Sequence, residues 1–199
     1  MSGEIKVLKV SPTIGADVTM GDSGDKFTFA SGSEIDLTGV TKTGFPESGV
    51  TQMSQWQLQS DFTNTQTPVT NFLINSGDGY GTVGTAPTIS SGVWTLPTTG
   101  FYLIALQVEI YDSSNSNAYA IAIETCTNGS SFNTATALRD HSPGLHAGGY
   151  RSIFGNFVFN CTDTSTHKVR INCDVSAATV STRGSANENL TAVTFIRLA

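Results

Sequence analysis

The sequence predicts an all-β protein that folds as a β-sandwich, and three observations support this prediction. Apolar and polar residues alternate with a period of two along several segments, which is the pattern of strands with one buried and one exposed face. Gly and uncharged polar residues are abundant while charged residues make up 13% of the chain, a composition typical of short strands joined by tight turns. No window of useful length keeps a helical period without interruption by Gly, Thr or Asn.

The strongest alternation lies in the middle of the chain. Trp56 and Leu58 alternate with three Gln between residues 55 and 59. A longer strand follows, and one of its faces is formed by Tyr102, Ile104, Leu106, Val108 and Ile110. The other face is apolar only where the strand begins, at Phe101, Leu103 and Ala105, which predicts burial on both sides at that end.

The same period continues toward the end of the chain. Alternating apolar positions occur at Tyr119, Ile121 and Ile123, at Val169, Ile171, Cys173 and Val175, and at Val193 and Phe195 in a last strand. Residues 51–199 thus contain eight to ten short strands, which predicts a sandwich rather than a parallel α/β sheet.

Composition and charge exclude several functions. The 199 residues include 38% hydrophobic residues, enough for one packed domain with a smaller appendage. The net charge is -6 and the ten basic residues are scattered, so direct nucleic-acid binding is not expected. No apolar run approaches the roughly 20 residues that span a bilayer, and the start MSGEIKVLKVSPT has no signal-peptide core, so we expect synthesis in a cytoplasm and no membrane insertion.

Residues 1–50 differ from the rest of the chain. Short apolar pairs, Phe27 with Phe29 and Ile35 with Leu37, recur eight residues apart between Gly-rich turns. Large apolar residues are too few here to form a core, so the segment is expected to need partner chains. We interpret it as an arm for anchoring and trimerisation, with a flexible arm of accidental spacing as the alternative. A linker at residues 45–49 leads to a head domain at 51–199.

The stretch from Val93 to Ile104, VWTLPTTGFYLI, resembles the aromatic–x–x–Pro–x–x–Gly–aromatic–Tyr pattern of globular complement-type domains, which share the tumour-necrosis-factor-like jelly roll. Pro97 suits a strand end, and Gly100 suits a tight reversal. The resemblance covers about residues 55–199 and includes the Asn128-Gly129 turn and the closing strand around Phe195. It implies a jelly-roll head that trimerises through outer strand faces and an aromatic-lined axis.

The arm resembles a different class of protein. GDKFTFASGSEIDL, carried by Gly24, Asp25, Phe27, Phe29, Ser31, Gly32, Ile35 and Asp36, is similar to units in phage tail-fibre, head-fibre and capsid-decoration proteins. Together the two resemblances imply a virion surface protein that is assembled in a host cytoplasm. The lack of a collagen-like Gly-X-Y run separates the chain from secreted complement-type proteins.

The three cysteines, Cys126, Cys161 and Cys173, do not form a disulfide framework. If residues 153–161 and 168–175 form a hairpin, Cys161 faces about position 168 and Cys173 faces about position 156, so the two thiols are not opposite each other. We therefore expect reduced and mostly buried thiols.

Motifs that resemble catalytic or metal sites fail on their context. GDSG at residues 21–24 stands before every His, which reverses the order of trypsin-like enzymes, and SGDGYGTVG at 76–84 lacks the Lys of a phosphate loop. His141 and His146 with Asp140 have no recognised ligand spacing, and no carboxylate pair indicates glycoside hydrolysis. The chain is expected not to be an enzyme and to need no metal or cofactor.

The sequence therefore predicts a trimeric, non-enzymatic virion protein, most simply a capsid decoration or head fibre that is anchored to capsid or tail proteins by the arm. The alternative is a tail-fibre or receptor-binding module that recognises a glycan or protein on the host surface. Candidates for the core or the trimer contact are Trp56, Leu58, Trp94, Phe101, Tyr102 and Phe195. Candidates in ligand loops are Asp112, Asn115, His141, His146 and Tyr150.

Overall fold

The computed structural model describes residues 31–32, 49–74, 79–114, 118–141 and 148–198, and its described secondary structure is eleven strands without a helix. The strands are β1 (Gln52–Leu58), β2 (Phe72–Ile74), β3 (Thr88–Ser90), β4 (Val93–Thr95), β5 (Gly100–Asp112), β6 (Ala118–Cys126), β7 (Asn133–His141), β8 (Gly149–Cys161), β9 (Lys168–Val175), β10 (Val180–Thr182) and β11 (Ala192–Arg197). The predicted all-β class is confirmed. The described part of the chain offers no helix able to cross a membrane.

The strands form two antiparallel sheets. In sheet A, β2, β1, β11 and β5 follow one another, and β8 pairs with the other edge of β5 along all 13 of its residues. The short strand β10 continues beyond β11 on the same side of β5. Sheet B has the order β3-β4-β9-β6-β7. The two sheets face each other as a sandwich, because each has one continuous apolar face that is buried against the other.

The core lies between these two inner faces. The predicted face of β5, from Tyr102 to Ile110, is at most 1% exposed at every second residue. Trp94 of sheet B is fully buried, and its ring centroid lies 5.5 Å from that of Phe195 and 6.0 Å from that of Trp56, both in sheet A. The alternation in the sequence therefore located the core correctly, because a period of two reports directly which side chains share a sheet face.

The predicted hairpin of residues 153–161 with 168–175 is wrong. β8 belongs to sheet A and pairs with β5, whereas β9 belongs to sheet B between β4 and β6. Because β5 offers a partner of equal length, β8 completes its hydrogen-bond ladder there rather than with the nearest segment in sequence. The three cysteines are free and buried.

The motif at residues 93–104 crosses between the sheets rather than reversing within one. β4 ends at Thr95 in sheet B and β5 begins at Gly100 in sheet A. Gly100 has a φ of 137°, and a Cβ there would lie 2.9 Å from Nε of Arg197. The glycine is therefore required by its backbone angle, and a Cβ would also displace the guanidinium of Arg197.

The turn between β3 and β4 gives a first testable prediction. Ser91 and Gly92 have φ angles of 47° and 78°, as in a two-residue hairpin turn, and a Cβ on Gly92 would lie 2.6 Å from the carbonyl oxygen of Val69. We expect Gly92→Ala to lower the free energy of unfolding by roughly 2–4 kcal/mol, from left-handed strain and the clash together. Chemical denaturation followed by circular dichroism measures this.

Gly129→Ala is the matched control for this turn. Gly129 has a φ of 80°, but a Cβ added to it would have Cγ2 of Thr166 as its nearest neighbour, at 3.7 Å. The loss of stability should therefore be limited to the strain of about 1–2 kcal/mol. Equal losses at the two positions would show that the contact with Val69 does not matter.

Candidate functional site: an apolar sheet face

The outward face of sheet A carries a row of apolar side chains that crosses the sheet. Leu103 of β5 stands directly opposite Val158 on one side and Ile196 on the other, and Ile196 stands opposite Met53 of β1. Met53 in turn bridges to Val83 through two backbone hydrogen bonds of 3.0 and 2.9 Å. Because directly paired residues project to the same side of a sheet, these five side chains form one continuous stripe.

Other large apolar residues widen this stripe into a patch. Phe101 is 50% exposed and lies beside Leu198, whose backbone N–H donates to the carbonyl of Phe101 at 2.8 Å. Phe154 of β8 and Leu73 of β2 are 62% and 55% exposed on the same side. We call this surface the apolar face; it consists of Met53, Leu73, Val83, Phe101, Leu103, Phe154, Val158, Ile196 and Leu198.

The outward face of sheet B has a different character. Its strand β6, next to the edge strand β7, presents Ala120 between Arg139 of β7 and Asp174 of β9. Nearby, Nε of Arg170 donates to Glu124 at 2.6 Å, and Arg170 also lies 4.2 Å from the ring centroid of Phe132. These polar groups satisfy one another at the surface. Large exposed apolar side chains of the described residues are therefore concentrated on one of the two sheets, and such a patch typically marks an interaction surface.

The residues predicted for core or trimer contact separate into two groups. Five of them point into the sandwich and are at most 6% exposed: Trp56, Leu58, Trp94, Tyr102 and Phe195. Phe101 points outward and belongs to the apolar face. The expectation that β5 begins with both sides buried does not hold within one protomer, since Phe101 is half exposed.

The residues predicted for ligand loops are also dispersed. Asp112 is not in a loop: it is the last residue of β5 and only 2% exposed, and Nη2 of Arg151 pairs with its carboxylate at 3.4 Å. His141 is the last residue of β7, and Tyr150 is an exposed residue near the start of β8. Asn115 and His146 lie outside the described residues, as do the arm residues Phe27, Phe29, Ile35 and Leu37.

Most residues of the apolar face were not predicted from the sequence, although the pattern of strand β8 indicates part of it. Strand β8 is apolar in both phases, with Ile153 and Phe157 facing inward and Phe154 and Val158 facing outward. A strand at a solvated surface should be polar in one phase. This departure could have predicted a second buried surface.

Burial and hydrogen bonds shift the pKa of several titratable groups in the described part of the chain. Burial raises the pKa of Tyr119 well above 10, and its hydroxyl lies 2.9 Å from Oγ1 of Thr182. Hydrogen bonds from Ser165 and Thr166 lower the pKa of Asp163 to about 2. The same hydrogen bonds stabilise the turn between β8 and β9. Within the described ranges, no three His, Cys, Asp or Glu side chains come together as a metal site.

Comparisons with known proteins define the fold. No family model and no curated protein matches the chain. Among solved structures, murine APRIL at pH 5.0 matches 74% of this chain and 98% of its own, with a TM-score of 0.54 and 14% identity. The Eiger TNF of S. frugiperda matches 74% and 92%, with a TM-score of 0.56 and 12% identity.

These matches show a jelly-roll sandwich of the tumour-necrosis-factor-like type, which the stretch from Val93 to Ile104 had predicted. At identities this low the likeness concerns the fold alone.

Proposed function

We propose that the chain is a non-enzymatic structural protein of a phage virion surface that assembles as a homotrimer through the apolar face. The observation that carries the proposal is the continuous stripe from Val158 to Val83 with its flanking aromatic residues. Leaving these side chains in water costs about 25 cal/mol per Å² of apolar surface, so their burial against other copies stabilises an assembly.

The number of copies follows from the resemblance of the head to complement-type domains, which are usually trimers. The apolar face runs across four strands from the β8 edge to the loop that holds Val83, so its two ends present different side chains. A contact of one end with the other end of the next copy is heterologous, and such contacts close into a ring when the rotation between copies divides a full turn. A ring of three such heads buries the face around a common axis.

The virion assignment draws on the arm. The similarity of GDKFTFASGSEIDL to units of phage fibre and decoration proteins supports attachment of the arm to capsid or tail proteins. The head then projects outward, as expected of a capsid decoration or head fibre. The alternative is a tail-fibre or receptor-binding module for a host glycan or protein. The exposed aromatic side chain of Tyr150 supports this alternative.

The trimer is tested by the mass of the full chain in solution. Light scattering at micromolar concentration should give three times the protomer mass of 21.0 kDa. Val158→Lys places a charge where the side chain is 51% exposed in the protomer, so the variant should fold but dissociate to monomers.

Ala120→Lys, on the outward face of sheet B, is the matched control and should remain trimeric. A monodisperse wild-type monomer would exclude the trimer. A trimeric Val158→Lys variant would exclude the apolar face as its contact.

The anchoring role is tested with purified particles. Full-length protein should be found on the particle by mass spectrometry, and a variant without residues 1–45 should be absent from it. Attachment of the truncated head would show that the arm is not the anchor.

A further inference from the structure

The end of sheet A opposite to Phe101 carries an aromatic pair. Tyr150 of β8 stands directly opposite Tyr111 of β5, with ring centroids 4.9 Å apart and planes inclined by 48°. Tyr150 is 61% exposed, so one side of its ring faces solvent. The polar pair of Ser152 and Glu109 stands between these tyrosines and the row of Phe154. The aromatic pair is therefore separate from the apolar face.

An ion pair is fixed beside the exposed ring. The guanidinium of Arg183 lies 5.7 Å from the centroid of Tyr150 and pairs with the carboxylate of Asp61. The other carboxylate oxygen of Asp61 accepts the backbone N–H of Gly184 at 2.8 Å, and the backbone N–H of Arg183 donates to the carbonyl of Glu109 at 2.9 Å. These backbone bonds hold the ion pair in position before any ligand arrives.

We propose that this surface binds a neutral pyranose of a glycan. The exposed ring of Tyr150 offers a flat apolar surface for the C–H face of the sugar. The carboxylates of Asp61 and Glu109, the guanidinium of Arg183 and the hydroxyl of Ser152 offer acceptors and donors for vicinal hydroxyl groups.

The charge of the site selects among glycans. Two carboxylates and one guanidinium leave one net negative charge beside Tyr150, and the whole chain carries -6. A sialylated or phosphorylated sugar would meet like charge, which disfavours its binding. Neutral hexoses and N-acetylhexosamines are therefore the class that fits.

A single site of this size is expected to be weak, with a Kd on the order of 1 mM. The site adds a binding activity to the proposed structural role and does not depend on the trimer for its chemistry. In a trimer three copies would act together, and avidity can raise the overall affinity by roughly 10²–10⁴.

The test is a titration of the full chain with soluble glycans terminated by mannose, galactose, N-acetylglucosamine or sialic acid, followed by NMR. We expect saturable shifts with at least one neutral glycan and weaker or no shifts with the sialylated one. Tyr150→Ala should weaken binding at least about tenfold, whereas Tyr150→Phe, which keeps the ring, should stay within about threefold.

Phe132→Ala is the matched control, because it removes an aromatic ring that also lies beside a guanidinium, that of Arg170 at 4.2 Å, but next to sheet B and outside the apolar face. This variant should bind like the wild type in the monovalent titration. Failure of every neutral glycan to bind at about 20 mM, well above the expected Kd, would overturn the site. Preference for the sialylated glycan, or unchanged binding by Tyr150→Ala, would overturn it as well.

The mass of Tyr150→Ala separates this inference from the proposed assembly. A variant that stays trimeric but loses the glycan supports a binding site. A variant that falls apart into monomers shows that Tyr150 belongs to the assembly contact, which overturns the site. If the wild-type protein is trimeric but binds no glycan, only the proposed glycan site is contradicted. If it binds a glycan as a monomer, only the proposed trimer is contradicted.

Discussion

Trp94→Ala will lower the free energy of unfolding by about 3–5 kcal/mol, the cost typical of removing a fully buried large aromatic side chain. Trp94 is 0% exposed and reaches from sheet B into sheet A, where its ring meets those of Trp56, Phe72 and Phe195 at centroid distances of 5.2 to 6.0 Å. Truncation leaves a cavity between the sheets that these rigid rings cannot close. Chemical denaturation at a fixed protomer concentration measures the loss.

Trp94→Phe is the control for this prediction. A phenyl ring fills most of the space, and Nε1 of Trp94 is a buried donor without a hydrogen-bond partner in the described structure, so its removal relieves an unpaired polar group. The loss should therefore be well below that of Trp94→Ala. Similar losses for the two variants would contradict the packing role of the ring.

Arg151→Met will cost a similar amount, about 3–5 kcal/mol, because it leaves two carboxylates without their shared cation. Arg151 of β8 points inward and pairs with Asp112 of β5 and Asp140 of β7, and its side chain is 17% exposed. The guanidinium thus joins the two sheets at one end of the sandwich. Thermal and chemical denaturation at neutral pH and constant protomer concentration measure the effect.

The triple variant Arg151→Met, Asp112→Asn and Asp140→Asn distinguishes lost attraction from uncompensated charge. Because the two amides carry no charge, it should recover most of the stability that Arg151→Met loses. If the single variant is as stable as the wild type, the ion cluster does not hold the sheets together. If the triple variant is no better than the single one, the lost ion pairs and hydrogen bonds of the guanidinium, and not the uncompensated charge, account for the loss.

The strands were predictable because burial of one face of a strand produces an alternation of apolar and polar residues within a few positions of sequence. Tyr102 to Ile110 and Tyr119 to Ile123 were placed on inner faces by alternation alone, and the motif around Trp94 identified the fold. Strand pairing was not predictable in this way. Whether β8 joins β5 or β9 depends on matching lengths and faces over distant segments, and the nearest partner in sequence was the wrong one.

The candidate surface was predictable only in part. Phe101 stood out because it begins a strand that is apolar on both phases. Its neighbours Met53, Val158 and Ile196 come from three other strands and meet only through sheet register. Asp112 looked like a loop residue because its partner Arg151 lies 39 positions away, and a single charge gives no local sign of burial.

The position of β11 has a consequence for how the chain folds as it is made. In sheet A this strand lies between β1 and β5, so β1, which pairs with the short β2 on its other edge, gains its second partner strand only after residues 192–197 have been synthesised. Until then β1 and β5 each present an unpaired edge beside apolar side chains. Such long-range closure is slow, on the order of milliseconds to seconds, and exposes the nascent chain to aggregation and to chaperones. A ribosome stalled before residue 192 should therefore hold a chain whose sheet A is open to proteases, however complete sheet B already is.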